Sequence, residues 1–65
     1  MTEQEFQDRY HDFETDSEAV ATAEAMKVNE VLEVGGRGPV VPVRLGDRWC
    51  LMLKSAADLI REMGL

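Results

Sequence analysis

Two apolar runs, Val40-Val41-Pro42-Val43-Arg44-Leu45 and Arg48-Trp49-Cys50-Leu51-Met52-Leu53, flank a two-residue loop that begins with glycine, Gly46-Asp47. A loop this short leaves one register for the strands beside it. Glycine in its first position predicts a β-hairpin over about 40–53, closed by a type II′ turn. The register pairs Leu45 with Arg48, Arg44 with Trp49, Val43 with Cys50, Pro42 with Leu51, Val41 with Met52 and Val40 with Leu53, and successive pairs alternate sides. Val41, Val43, Leu45, Cys50 and Met52 then share one face, with Arg48 at its end. Val40, Pro42, Trp49, Leu51 and Leu53 share the other, with Arg44 expected over the Trp49 indole as a cation–π pair. Pro42 cannot donate to a ladder, so the first strand is an edge. Both faces are apolar, and a hairpin of that kind requires cover on both.

Helices account for the rest of the chain. Thr2-Glu3-Gln4-Glu5 reads as a capping box opening a helix over about 3–13, whose Phe6, Tyr10 and Phe13 form one core-facing stripe. Thr15-Asp16-Ser17-Glu18 has the same Thr-x-x-Glu form and predicts a second helix over about 16–33. Its apolar arc is Val20, Ala21, Ala25, Val28, Val31 and Leu32, with Asn29 outside it and Gly35-Gly36 as a left-handed stop. The β-branched stretch 28–34 leaves a strand as the alternative there. After the hairpin, Ser55-Ala56-Ala57-Asp58 predicts the cap of a short helix with a stripe of Ala56, Leu59, Ile60 and Met63. Gly64 would close it, with Leu65 folding back. The expected fold class is α+β: two N-terminal helices, the hairpin and a short C-terminal helix, forming one small domain over 1–65. Its acidic helical half is 1–34, and hairpin plus helix make up 39–65.

Charge is sorted by position. Residues 1–33 hold ten acids against two bases, while 34–65 hold three acids against five bases, within a net charge of −6. Clustered like charge weakens a small fold by self-repulsion and suits a surface that meets one of opposite sign. It also disfavours direct binding to nucleic acid or anionic lipid. A domain of 65 residues buries only about 60% of the surface its unfolded chain exposes. Cys50 is the only cysteine, so no internal disulfide can reinforce it. The start of the chain lacks a basic, apolar signal sequence and no apolar run is long enough to span a bilayer, so a cytoplasmic, complete small protein is expected, without a membrane.

Catalytic and metal chemistry find little support in the residues. The acids Asp12, Glu14, Asp16 and Glu18 alternate like the start of a calcium loop, but Ser17 and Ala23 stand where an EF-hand needs glycine and a bidentate acid. His11 has no partner nucleophile, and Cys50 sits mid-strand among apolar neighbours as a small hydrophobe. Gly35-Gly36-Arg37-Gly38 follows a helix, whereas phosphate loops precede one. No cofactor, metal or enzymatic activity is expected.

With three helices available to one hairpin, either helices sandwich it completely or one face awaits a second copy or another protein. The expected function is therefore a non-enzymatic protein-interaction module, a small acidic binder, inhibitor or adaptor of the kind phages and mobile elements carry. Asp12, Glu14, Asp16, Glu18, Glu30 and Glu33 would form an acidic face for a basic partner, or imitate nucleic acid. Val41, Val43, Leu45, Arg44, Arg48, Trp49 and Met52 would form the hairpin interface, in a homodimer or with a heterologous partner. The alternatives are a structural homodimer in which the acids only confer solubility, and a nucleic-acid binder led by the arginines of the hairpin.

Overall fold

The structure is a computed structural model that describes residues 1–64, so the expected fold-back of Leu65 lies outside the described residues. Its elements run α1 (Glu3–Tyr10), α2 (Glu18–Val31), β1 (Val40–Leu45), β2 (Arg48–Leu53) and α3 (Lys54–Glu62), an α+β arrangement of three helices and one antiparallel hairpin. None of these helices is long and apolar enough to cross a membrane.

The hairpin register matches the pairing expected from the two-residue loop, from Leu45↔Arg48 to Val40↔Leu53. Gly46 has φ 66° while Asp47 does not enter the positive region, as a type II′ turn requires. A Cβ at Gly46 would meet nothing within 4 Å, so Gly46→Ala carries only the backbone cost of that conformation. The expected loss is about 1–2 kcal/mol in a denaturant unfolding titration.

α1 opens with the expected capping box. Thr2 Oγ1 accepts from Glu5 N at 3.1 Å, and Thr2 N donates to Glu5 Oε1 at 3.1 Å. The helix stops at Tyr10, short of the expected 13, and Phe13 N turns back to Tyr10 O at 3.1 Å. The cap of α2 is Ser17, not Thr15: Ser17 Oγ accepts from Val20 N at 3.2 Å. Thr15 Oγ1 accepts from Ser17 N at 3.2 Å instead, and its main chain pairs with Trp49, in bonds of 2.9 Å and 2.6 Å. At the other end α2 stops at Val31, and Leu32 is extended (ψ 132°) although its N–H still reaches Val28 O. The β-branched tail is thus helical only as far as Val31. The left-handed glycine of the following loop is Gly38, not Gly35 or Gly36. α3 begins directly at Lys54 without a side-chain cap. Ser55 is not needed as one, since Lys54 N donates to Pro39 O (2.8 Å) and Ser55 N to Arg37 O (3.0 Å), which satisfies the first N–H groups of the helix. Gly64, with φ 76°, ends it as expected.

One face of the hairpin carries the core. Val40, Leu51 and Leu53 pack with Phe6 of α1 and with Ala21, Ala25, Val28 and Leu32 along α2, while Met1, Tyr10, Phe13 and Trp49 close its margin. The buried line of α2 is narrower than the expected arc, because Val20 and Val31 are exposed. Asn29, expected to face solvent, grips the start of β1: its Nδ2 donates to Val40 O and its Oδ1 accepts from Val40 N, both at 2.8 Å.

Candidate functional site

The second face of the hairpin is nowhere buried. Val41, Val43, Cys50 and Met52 are half-buried, and Leu45 is 40% exposed. Arg44 and Trp49, expected with them in one interface, lie on the core-side face, where Trp49 packs against the core margin. Arg44 Nε donates to Gly46 O at 3.0 Å and so bends back onto the turn instead of over the indole.

The Thr15–Trp49 bridge lays the segment joining α1 to α2 alongside β2. Antiparallel pairing at Thr15 sets Glu14 opposite Cys50 and Asp16 opposite Arg48, on the half-open side. The Cys50 thiol is pushed up, first by burial and then by the Glu14 charge, which places that carboxylate beside the apolar face. Acidic segment and hairpin face therefore form one continuous surface. Asp12 and Glu18 are exposed at the ends of this segment. Glu30 and Glu33 belong elsewhere: Glu30 stands about 18 Å along the α2 axis from Glu18, and Glu33 lies beyond the end of that helix. The six acids are not gathered on one face.

A second feature was not anticipated. The stripe expected on α3 is largely uncovered: Ala56 is exposed, Leu59 is 59% and Met63 69% exposed, and the one buried side chain of the helix is Ala57. Leu59, Ile60 and Met63, with Phe6 and Tyr10 of α1 and Leu51, Met52 and Leu53 of β2, line an open groove of about 760 Å³. Its ionisable lining is Arg37, His11 and Tyr10, with no carboxylate. The amphipathic spacing of α3 signalled an apolar face but not which neighbour it would meet. The side chain the helix buries is Ala57, one position off the stripe.

Tyr10 at the edge of the groove donates from Oη to Glu24 Oε2 at 3.1 Å. Burial first, and then this bond, raise its phenol above the ordinary 10.0. The unfolded chain releases the proton near 10.0 and the folded chain holds it to higher pH. The contribution to stability is thus complete below pH 10 and lost as pH rises through the folded value. Unfolding titrations should show stability falling above pH 10 in the wild type and a flatter profile in Tyr10→Phe. Cys50, raised from 9.0, adds a fall of the same sign at lower pH that both proteins retain.

His11 is exposed, with Nδ1 3.0 Å from Asp8 O. Among the described residues no three His, Cys, Asp or Glu side chains converge as a metal-binding group would. No family model, curated protein or solved structure matches the chain. What its fold and surfaces define is a small α+β domain with a mixed acidic and apolar face and, separately, an apolar groove.

Proposed function

We propose that this chain is a protein-interaction module that engages a partner whose apolar patch is bordered by basic residues. The observation that supports this reading is the Thr15–Trp49 bridge, which sets Glu14 and Asp16 beside the half-open face of Val41, Val43, Leu45, Cys50 and Met52. Apolar area of this kind supplies affinity, and flanking charge supplies orientation and encounter rate. The same arrangement weighs against a nucleic-acid-binding hairpin, because Asp16 stands opposite Arg48 and offsets the charge a phosphate would need. It also weighs against a homodimer through this face, since a two-fold contact would bring two copies of the acidic segment together.

The test is affinity capture from the source cells with the wild-type chain and with a Glu14→Lys, Asp16→Lys double variant. A partner retained by the wild type, weakened by rising salt and lost with the variant supports the reading. Capture indifferent to both changes would sink it. So would a solution mass of twice 7.3 kDa that Leu45→Asp reduces to one chain, which would assign the face to self-association.

A further inference from the structure

We propose that α3 is the centre of a two-fold dimer, in which the α3 of a second copy lies antiparallel against it, along the groove. This surface is separate from the acidic face, and the proposal does not rest on that reading.

The spacing of the stripe has the symmetry that such a contact needs. Ala56, Leu59, Ile60 and Met63 are placed evenly about a point between Leu59 and Ile60. An antiparallel copy centred there sets Leu59 against Ile60 and Ala56 against Met63, each pairing occurring twice, as the self-complementary contact of a two-fold dimer requires. A small side chain meeting a long one at either end lets the helices lie close together. By the helical period of about 3.6 residues, Lys54, Asp58 and Arg61 lie on the side of α3 away from the stripe, where Lys54 Nζ donates to Asp58 Oδ2 at 2.9 Å, so they stay in solvent. The single cysteine rules out an internal disulfide, and association is the common alternative reinforcement for a core this small.

Charge complements the same register. Arg37 and Ser55 both line the groove, and Arg37 O accepts from Ser55 N at 3.0 Å. Glu62 follows Ser55 by two helical turns, hence stands on the same side of α3, about 10 Å further along. A two-fold axis at the centre of the stripe brings Glu62 of the second copy level with Ala57, on the Ser55 side, beside Arg37. Among the described residues neither Arg37 nor Glu62 makes an ion pair within the chain, so the two copies form two identical pairs. No carboxylate lines the groove, which keeps most of the net charge of −6 on each chain away from the contact. Stable interfaces bury about 800 Å² per partner, roughly a fifth of the 4438 Å² that this chain exposes. The nine residues of α3 span only about 13 Å, so Tyr10 and Met52 in the groove must add to the contact, and the dimer is of the weak kind that dissociates on dilution.

Sedimentation equilibrium of the full chain, from about 1 μM to about 1 mM, tests this. The mass is expected to rise with concentration from 7.3 kDa toward twice that value. Leu59→Lys, at an exposed position, should raise the dissociation constant about hundredfold because it enters the contact twice, with the circular dichroism spectrum unchanged. Charge reversal separates this register from general stickiness. Arg37→Glu and Glu62→Arg should each weaken self-association about tenfold, while an equimolar mixture of the two variants, in which both pairs are again opposite in sign, should associate as tightly as the wild type. Amide protection over 59–63 should rise with concentration. The proposal is overturned if the mass stays at 7.3 kDa throughout, if Leu59→Lys leaves association unchanged, or if the mixture is no tighter than its components. A dimer that Leu45→Asp dissociates and Leu59→Lys does not also overturns it, and assigns self-association to the other face.

Discussion

Asn29→Ala is expected to destabilise the protein by about 2–4 kcal/mol, a large share of what a domain of this size possesses. Val40 is 2% exposed, and both of its outward main-chain groups are bonded by the Asn29 amide at 2.8 Å. Alanine leaves a buried N–H and a buried C=O without partners, and water cannot reach them unless the start of β1 lifts from α2. A urea titration followed by tryptophan fluorescence would place the midpoint well below that of the wild type. The exposed Thr22→Ala on the same helix should shift it little. Asn29→Asp separates the two bonds: the carboxylate still accepts from Val40 N but opposes Val40 O, and this variant should recover stability as the acid is protonated at low pH. An Asn29→Ala midpoint equal to the wild type would mean that the amide does not anchor the strand.

Phe6→Ala should remove about 3–5 kcal/mol and leave no cooperative unfolding transition. Phe6 is the one buried residue of α1. It stacks on Tyr10 with ring centroids 5.4 Å apart, and Tyr10 meets Phe13 edge-on at 5.7 Å, so a short and otherwise polar helix is held through one aromatic chain. Two of the side chains from the α2 segment in this core, Ala21 and Ala25, are alanines, too small to fill the void by shifting. Thermal melting followed by circular dichroism should show a gradual slope for Phe6→Ala and a cooperative transition, lowered by several degrees, for Phe6→Leu.

How much of this was legible in the sequence depended on whether a signal was local. The hairpin register followed from Gly46-Asp47 because two residues allow one pairing, and the α1 cap followed from Thr2 and Glu5 because all four bonding atoms lie within one turn. Thr15 was read as a cap because its spacing to Glu18 is a cap's spacing. Its pairing with Trp49, across 34 positions, left no trace in either segment. Asn29 was assigned to solvent for the same reason: helical periodicity sorts residues by polarity, and an amide turned inward to a strand start looks like one turned outward. The acidic face was legible as composition but not as geometry, so Glu30 and Glu33 were grouped with residues from which α2 separates them. The α3 stripe was visible, but whether it would be covered depended on packing that no spacing encodes.

The junction between β2 and α3 has a dynamic consequence. Leu53 ends the strand and Lys54 begins the helix, the first turn is tied to the 37–39 loop, and beyond Ala57 no described side chain of the helix is buried. Unwinding α3 from its C-terminal end breaks helical hydrogen bonds but exposes almost no apolar surface that is not already wet. Its opening free energy is accordingly a fraction of the global one, and amide hydrogens from Leu59 onward should exchange through local excursions while those of Val28 and Val40 wait for complete unfolding. One side of the groove is therefore adjustable, and the side formed by α1 and β2 is as firm as the core behind it.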